Sequence, residues 1–353
     1  MNTWQRYKTD EKYRRNIERR MKIMEAIRDF FALEGFIEIE TPLMVRSPGM
    51  EPNLSPFKTE LADAAGKKQS AYLVTSPEYS CKKMLGAGMD KIFSLGKVFR
   101  NEEPFGASSG TIATHNPEFT MLEWYRAGED YQKIMDDTER LVAFCAAAIA
   151  KNLQPCLPDR QATTYNLAMP WTRLSVKEVF AKIGLNLDQI LTRDTMAAAA
   201  ASRGYAVSPD DTFDDCFFKI FLTAIEPGLG KDEPTILYDY PIQMASLARA
   251  KKDDPRYAER FEAYAGGMEI CNAFSELTDP EEQQRRFGEE GKERIRLGKD
   301  APPIDEDLLA ALGEIKSAAG NALGIDRLVM LLTGAKNIEE VMLFPAAELF
   351  SNS

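Results

Sequence analysis

An arginine and two carboxylates stand together at one point of this 353-residue sequence, in the order Arg100-Asn101-Glu102-Glu103. They follow an apolar run and open a stretch rich in glycine and serine, residues 102–114. This order predicts an arginine and a carboxylate at the mouth of a cleft, beside a mobile loop. A surface ion pair is the plainer interpretation, because such pairs are common and contribute little to stability.

The segment that follows this loop, residues 115–125, combines a histidine, aromatic residues and a carboxylate. It reads His-Asn-Pro-Glu-Phe-Thr-Met-Leu-Glu-Trp-Tyr and contributes His115, Phe119, Glu123 and Tyr125. His115 is the only histidine of the chain, which excludes chemistry that needs a histidine pair or a metal site of several histidines. Carboxylates, arginines and a metal must therefore carry any reaction.

Two further carboxylates, Glu262 and Glu269, are seven residues apart in a predicted hairpin. Oxygen ligands of this kind suit magnesium, although two solvated carboxylates are the plainer interpretation when the pair is taken alone. The sequence contains neither a GxxxxGK[ST] loop nor a GxGxxG fingerprint, so an ATP site must be built in another way.

Composition narrows the class of protein. The net charge of −11 argues against a nucleic-acid backbone as the partner. The five cysteines are widely separated and none lies in a CxxC pair, so we interpret them as idle thiols. No apolar run approaches the roughly 20 residues that a membrane helix needs, and we expect a globular protein, without a membrane partner, in the cytoplasm.

The pattern of apolar residues predicts short strands flanked by helices. Residues 14–34 repeat apolar side chains every three or four positions, as an amphipathic helix does, and residues 36–40 alternate like a half-exposed strand. Further strands are predicted at 71–75, 92–98, 120–125, 235–240, 257–264 and 267–274. Further helices are predicted at 127–150, 280–297 and 304–312, and a final one begins near 328. Strands of largely antiparallel pattern with flanking helices indicate an α+β fold.

Residues 151–232 give a weaker pattern, with proline breaks and an alanine-rich helix near 195–202. We interpret this segment as a helical elaboration that packs on the main domain. The whole chain, residues 1–353, is accordingly predicted to be a single domain.

Three segments resemble the signature motifs of the class II aminoacyl-tRNA synthetases, in the form characteristic of lysyl enzymes. The helix at 14–34 and the strand that ends at Pro42 resemble the first motif, which forms the dimer interface in that family. Residues 99–125 resemble the second motif, and Gly324-Ile325-Asp326-Arg327-Leu328 resembles the third. The resemblance covers nearly the whole chain. It implies the class II catalytic core, an antiparallel sheet flanked by helices, and a homodimer.

This resemblance implies that the carboxylate of an amino acid attacks the α-phosphate of ATP. Charge builds on phosphate oxygens and no proton has to move, so arginine forks and Mg²⁺ are sufficient. Arg100 and Arg327 are then the catalytic residues, and Glu102 binds the adenine amino group. The implied ATP site comprises Arg100, Asn101, Glu102, His115, Phe119, Glu269, Ile270, Gly324 and Arg327, with Glu262 and Glu269 as magnesium ligands.

The same resemblance implies an acidic amino-acid pocket. Its positions are Ser76, Pro77, Glu78, Glu123, Tyr125, Asn272, Glu276 and Ala322. A diamino acid needs such a lining, because each buried ammonium group demands a carboxylate partner. Lysine, or an isomer such as (R)-β-lysine, is therefore the implied substrate.

The oligonucleotide-binding barrel with which a lysyl-tRNA synthetase reads the anticodon is not expected here, because the chain begins almost at the first motif. This makes tRNA a poor candidate for the acceptor. The pattern is instead similar to the elongation factor P lysine ligases, which transfer (R)-β-lysine to the ε-amino group of one lysine of elongation factor P. Ala245-Ser246-Leu247 and Ala322 support this branch, since they replace the Ser-Pro-Leu and the glycine that synthetases usually carry.

Two departures and two alternatives remain open at this point. Ala273 stands where the family usually has glycine, and Thr114 lies where an arginine is common. One alternative is a truncated synthetase-like ligase that acts on tRNA or on a small molecule. The other is a non-catalytic paralogue that senses an amino acid, against which the retained Arg100, Glu102, Glu269 and Arg327 argue.

Overall fold

A computed structural model of the chain describes residues 2–105, 113–151 and 165–350. The predicted loop at 102–114 and the predicted elaboration at 151–232 are each covered in part, because residues 106–112 and 152–164 lie outside the described residues. In the described part of the chain, no helix is long and apolar enough to span a membrane.

The strands are short and most belong to one sheet. In chain order they are β1 (Ile37–Glu38), β2 (Met44–Val45), β3 (Lys58–Ala62), β4 (Lys68–Leu73), β5 (Lys91–Phe99), β6 (Glu118–Ala127), β7 (Thr172–Ser175), β8 (Thr235–Pro241), β9 (Tyr257–Ala265), β10 (Met268–Ser275) and β11 (Ala318–Gly324).

The helices flank these strands. In chain order they are α1 (Thr3–Thr9), α2 (Glu11–Leu33), α3 (Glu78–Gly86), α4 (Tyr131–Lys151), α5 (Val176–Lys182), α6 (Arg193–Ser202), α7 (Phe213–Ala224), α8 (Pro280–Arg296), α9 (Glu306–Leu312), α10 (Ile325–Thr333) and α11 (Ala346–Leu349).

The main sheet has the strand order β1-β5-β6-β11-β10-β9-β8-β7. The six strands from β5 to β8 pair antiparallel, whereas the outermost pairs, β1 with β5 and β7 with β8, are parallel. The predicted α+β fold with a largely antiparallel sheet is confirmed. A small second sheet pairs β2, β4 and β3.

Strand β6 shows how the sheet separates the core from the site. Its side chains alternate between the two faces, and Leu122 and Trp124 enter the large apolar core formed with α2, α4 and α10. Phe31 of α2 lies 5.5 Å from the Trp124 ring, centroid to centroid. The intervening residues, Glu123 and Tyr125, therefore point to the opposite face, together with their neighbours on β10 and β11.

The described part of the predicted elaboration forms a second apolar cluster on the β7–β8 edge. Helices α5, α6 and α7 supply it, and Phe217 of α7 stacks on Phe180 of α5 at 5.1 Å between ring centroids. The predicted alanine-rich helix is α6, which begins at a capping box between Thr192 and Thr195. The described residues of this segment contain α5, α6 and α7, and its interpretation as an elaboration of one domain stays a prediction.

Several predicted boundaries were wrong. The first helix begins at Glu11, because the Asp10 carboxylate caps it by accepting a hydrogen bond from the Tyr13 amide at 2.9 Å. The predicted helix at 127–150 begins four residues later, after Gly128 turns the chain with a φ of 79°. The helix predicted as the last, α10, is followed by the short α11.

Candidate active site

A cavity of about 1040 Å³ opens on the face of β6, β9, β10 and β11 that is opposite the apolar core. Register explains which residues reach it: Tyr125 pairs with Gly320, Ala322 with Asn272, and Asn272 with Glu262. Paired residues of adjacent strands share a face of the sheet. Two neighbouring rows of side chains across these strands therefore form the floor of the cavity.

Most of the predicted site residues line this one cavity. They are Ser76, Glu78, Arg100, His115, Phe119, Tyr125, Glu262, Glu269, Ile270, Asn272, Glu276, Ala322, Gly324 and Arg327. The residues come from segments up to 251 positions apart in the chain, from Ser76 to Arg327, so the fold itself assembles the predicted site. Their roles in catalysis stay predictions.

Asn101 and Glu102 do not line the cavity. Both are exposed, and the Asn101 amide donates a hydrogen bond to the Ser55 carbonyl at 2.7 Å. Glu102 has a φ of 64°, and its carboxylate accepts a hydrogen bond from Ser55 Oγ at 2.5 Å. The neighbouring Glu103 lines the cavity instead. The adenine contact predicted for Glu102 thus has no support from its position.

Pro77 and Glu123 lie behind the cavity wall rather than on it. Pro77 is the buried residue before α3. Glu123 is fully buried, and it accepts hydrogen bonds from Ser76 Oγ at 2.5 Å and from the Tyr125 hydroxyl at 2.7 Å. Burial and the nearby Glu78 raise the pKa of Glu123 to about 8. Glu123 therefore orients two residues of the cavity wall.

Sequence reasoning missed Lys82, which is 1% exposed and lies between two predicted pocket residues. Its Nζ is 2.6 Å from Glu78 Oε1 and 2.6 Å from Glu276 Oε2. Burial lowers the pKa of Lys82, but the two carboxylates outweigh burial and the net pKa is raised. The four-residue spacing from Glu78 on α3 was the available signal, since residues i and i+4 of a helix face each other.

Gly320 is the residue that lets β11 pass close to the pocket. A Cβ atom placed on it would lie 2.3 Å from the Tyr125 ring and 2.8 Å from Glu276 Oε1. Those contacts are shorter than atoms tolerate. Only glycine fits at this position, and it brings Tyr125 and Glu276 together.

Arg100 and Phe119 face each other at the other part of the cavity. The Arg100 guanidinium lies 5.2 Å from the centroid of the Phe119 ring. Burial lowers the pKa of Arg100, and the nearby Arg327 adds to that effect, while Glu103 opposes it. Two cations that face one cavity repel each other, so an anionic ligand would relieve both.

Arg327 is held by its own hydrogen bonds. Nη1 donates to the Glu269 carbonyl at 2.8 Å, and Nη2 lies 3.0 Å from His115 Nε2. Because a guanidinium only donates, Nε2 of His115 accepts and Nδ1 carries the ring proton, within 3.2 Å of Thr114 Oγ1. Burial, Arg327 and Arg100 lower the pKa of His115 to about 4, so the ring is neutral at pH 7.

The start of α10 is fixed by the neighbouring Asp326. Its Oδ1 accepts a hydrogen bond from Arg20 of α2 at 2.6 Å, and its Oδ2 accepts one from the Thr120 amide at 2.8 Å. Arg20 also donates to Thr120 Oγ1 at 2.9 Å. The segments of the three sequence motifs therefore meet at this one ion pair.

The carboxylates of Glu262 and Glu269 have the charge that a magnesium ion requires. Glu269 is the better candidate of the two, because the Glu262 carboxylate is already hydrogen-bonded. Both carboxylates line the cavity, and burial and Glu262 together raise the pKa of Glu269. Glu262 already accepts hydrogen bonds from Arg260 at 2.7 Å and from Tyr240 and Tyr264 at 2.6 Å each. A divalent cation would relieve the repulsion between the two carboxylates. The described residues hold no cluster of three acidic or other metal-binding side chains.

Arg260 is a second residue that sequence reasoning missed. It donates to Asn272 Oδ1 at 3.2 Å, to Glu262 at 2.7 Å and to the Met244 carbonyl at 2.6 Å. It thereby orients one residue of the predicted amino-acid pocket and one predicted metal ligand. Alternation along β9 was its only sequence signal, and a charged residue on a half-buried strand is not specific.

The two departures from the family pattern lie in different environments. Ala273 is fully buried in the apolar core, on the face of β10 away from the cavity. Thr114 lines the cavity beside His115. The Ala245-Ser246 pair also lines the cavity, and Ser246 has a φ of 50°.

Comparisons with known proteins agree with this arrangement. The profile of the family described as tRNA synthetases class II (D, K and N) matches residues 2–348. A protein of Hamiltonella defensa is 39% identical over 335 residues, 94% of each chain, and is named "Elongation factor P--(R)-beta-lysine ligase". A protein of Yersinia pestis (strain Pestoides F) with the same name is 37% identical over 94% of each chain.

These matches confirm the resemblance inferred from the three motifs. The family profile spans α1 to α11, so it covers the sheet, the cavity and all of the predicted site residues. The chain therefore belongs to the class II tRNA synthetase family (D, K and N), and it is an enzyme of the ligase class.

Proposed function

We propose that this chain uses ATP to activate (R)-β-lysine as its adenylate and then transfers the β-lysyl group to the ε-amino group of a lysine of elongation factor P. The observation that carries the proposal is one cavity that holds buried carboxylates in one part and two arginines in another. The names of the relatives suggest the isomer and the acceptor. We treat residues 1–353 as one catalytic domain.

In the first step, a carboxylate oxygen of the amino acid attacks the α-phosphorus of ATP and pyrophosphate leaves. Arg100 and Arg327 face the cavity as guanidinium forks, which suit phosphate oxygens. His115 and the Glu269 carbonyl hold Arg327 in place, so the cation is oriented before the substrate binds. Phe119 offers its ring to the adenine.

The amino-acid end of the cavity is acidic. Glu78, Glu276 and Tyr125 line it, and Ala322 lies opposite Asn272 on the neighbouring strand. Two ammonium groups of a diamino acid would find carboxylate partners there, whereas a neutral side chain would leave buried carboxylates unpaired. The acidic end therefore favours lysine isomers over neutral amino acids.

In the second step, a neutral amine of the acceptor attacks the carbonyl carbon of the adenylate, an amide bond forms and AMP leaves. Burial favours the neutral form of the attacking amine, because desolvation disfavours the ammonium. No residue is assigned as a base for this step.

Magnesium is part of the proposal. Glu269 would hold it, with Glu262 beside it, at the triphosphate end of the cavity. Bound there, the ion would supply positive charge that stabilises the leaving pyrophosphate.

A homodimer is also part of the proposal. The segments that resemble the first motif carry exposed apolar side chains: they are Met21, Leu33, Ile37, Leu43 and Met44, with exposures between 43% and 77%. A partner chain could cover them. We expect a mass of two chains by light scattering, and a monomer after Ile37→Lys.

Transfer RNA is not part of the proposal, since the chain carries a net charge of −11 and a phosphate backbone would be repelled. The cytoplasmic location expected from the sequence stays a prediction. Formation of lysyl-tRNA by the purified chain would favour the truncated synthetase instead.

The experiment that tests the function has two stages. The first is ATP–pyrophosphate exchange with α-lysine and with (R)-β-lysine, in the absence of an acceptor. The second adds elongation factor P and follows its mass by spectrometry. We expect exchange to favour (R)-β-lysine and the acceptor to gain one β-lysyl group. Exchange that favours α-lysine would oppose the isomer, and an unmodified acceptor would oppose the transfer.

A further inference from the structure

One buried lysine, Lys82, lies between two side chains of the proposed amino-acid pocket. The Lys82 ammonium contacts Glu78 and Glu276 at 2.6 Å each and lies 5.3 Å from the centroid of the Phe274 ring. Phe274 also lines the cavity. Lys82 therefore does not pair with a surface carboxylate but holds together two side chains proposed to bind the substrate.

The contacts divide the oxygens of the two carboxylates. Lys82 takes Oε1 of Glu78 and Oε2 of Glu276. Glu276 is 1% exposed, and its Oε1 has no hydrogen-bond partner among the residues that the structure describes. A buried carboxylate oxygen without a partner is costly. The internal ammonium thus fixes Glu276 while one oxygen stays available to a cationic ligand.

The charges of the pocket also favour a cationic ligand. Glu78, Glu123 and Glu276 are three carboxylates, and Lys82 supplies one positive charge among them. Burial raises the pKa of Glu123 and of Glu276 to about 8. A cationic ligand beside these carboxylates would favour their ionised form, so the pocket suits the ammonium groups of a diamino acid.

We propose that Lys82 is a positioning residue for the diamino acid: it holds Glu78 and Glu276 in place to meet the ammonium groups of the substrate. This inference rests on the proposed function of the cavity.

The test compares binding of (R)-β-lysine and of ATP by calorimetry, because binding does not depend on turnover. Lys82→Met removes the ammonium, and we expect the Kd for (R)-β-lysine to rise roughly 100-fold, as for a broken buried pair. The Kd for ATP should stay within about twofold, since Lys82 does not contact the arginines. Lys83→Met is the matched control, because Lys83 follows on the same helix but pairs with Asp305 at 2.8 Å.

Lys82→Arg tests whether the position of the ammonium matters as well as its charge. It also replaces Lys82→Met in the test if that variant does not fold. The planar guanidinium keeps the charge but requires more space than an ammonium. We expect a smaller loss, roughly tenfold in the Kd for (R)-β-lysine, again with ATP binding retained.

The proposal is overturned if either folded variant binds (R)-β-lysine as the wild type does, or if the affinities for amino acid and ATP fall together. Exchange by the wild-type protein is measured separately. A wild type that binds (R)-β-lysine but shows no exchange would contradict the proposed function and leave the role of Lys82 intact. A wild type that binds no lysine isomer would contradict both.

Discussion

The guanidinium of Arg327 donates a hydrogen bond to Nε2 of His115 across 3.0 Å, although the two residues are 212 positions apart. The bond joins the second sequence motif to the third at the proposed phosphate end of the cavity. It requires a neutral ring, because a protonated imidazole has no acceptor. Burial and the two arginines lower the pKa of His115 to about 4, which keeps the acceptor available near pH 7.

His115→Phe should weaken ATP binding by about tenfold, because the ring loses the acceptor that orients Arg327. Pyrophosphate exchange measured at several ATP concentrations gives the change in KM for ATP. His115→Asn is the matched variant, since its amide oxygen can accept the same bond, and it should lose less. Equal losses in both variants would contradict an orienting role for the acceptor.

The lowered pKa of His115 also predicts a pH dependence of stability. Between about pH 4 and the ordinary pKa of 6.5, the unfolded chain binds a proton at this position and the folded chain does not. The free energy of unfolding should therefore rise with pH across this window. His115→Asn has no titrating ring, so its stability should rise less with pH than that of the wild type. Parallel unfolding curves from pH 4 to 7 would contradict the assignment.

Arg100→Ala and Arg327→Ala should each lower adenylate formation by roughly 100-fold or more, because each removes a cation aimed at developing phosphate charge. Pyrophosphate exchange with saturating amino acid measures this. Arg296→Ala is the control, since Arg296 pairs with Glu293 at the surface and 48% of its side chain is exposed. Near-normal exchange in either variant would remove that arginine from its proposed role.

The sequence was sufficient to predict most strands of the main sheet and much of the site because the relevant signals are local. Arg100, Phe119 and Arg327 lie in short segments with a distinctive order of residues that resemble the second and third motifs. Strand β6 was predicted at residues 120–125 and spans Glu118–Ala127. The fold then brings these segments to one cavity.

Other features depend on contacts that no local pattern carries. The orientation of Glu102 follows from a φ of 64° at one residue, and nothing in a loop sequence fixes that angle. From the sequence alone, Lys82 would be interpreted as a surface residue of a helix, because only the structure shows that Glu276 lies beside it. The Arg20–Asp326 pair joins positions 306 apart in the chain.

Gly320→Ala should raise the KM for (R)-β-lysine and lower the free energy of unfolding by ~1–3 kcal/mol, as overpacking does. The added methyl group would lie 2.3 Å from the Tyr125 ring, so either the ring or β11 must move. Gly96→Ala is the matched control, because Gly96 also lies in a strand but has no atom within 4 Å of an added Cβ. If Gly320→Ala and Gly96→Ala had the same KM for (R)-β-lysine and the same free energy of unfolding, the close contact between β11 and Tyr125 would be contradicted.

Arg20→Met should destabilise the protein by ~3–5 kcal/mol, because it leaves the Asp326 carboxylate buried without its charge partner. Asp326 is 2% exposed, and it adjoins Arg327 at the start of α10. A displaced Asp326 should therefore also displace Arg327, and we expect the rate of pyrophosphate exchange to fall by about tenfold in protein that is still folded. Denaturant unfolding and exchange assays on the same samples measure the two effects.

Lys22→Met provides the control for this prediction. Lys22 lies on the same helix and pairs with Glu25 at 2.9 Å, but more than half of each side chain is exposed. Loss of such a pair costs ~0–1 kcal/mol. If Arg20→Met lost stability but kept the exchange rate of the Lys22 variant, α2 would support the fold without positioning Arg327. A reduced rate only in the Arg20 variant would mean that the helix proposed to form the dimer interface also holds in place Arg327, the arginine proposed to be catalytic.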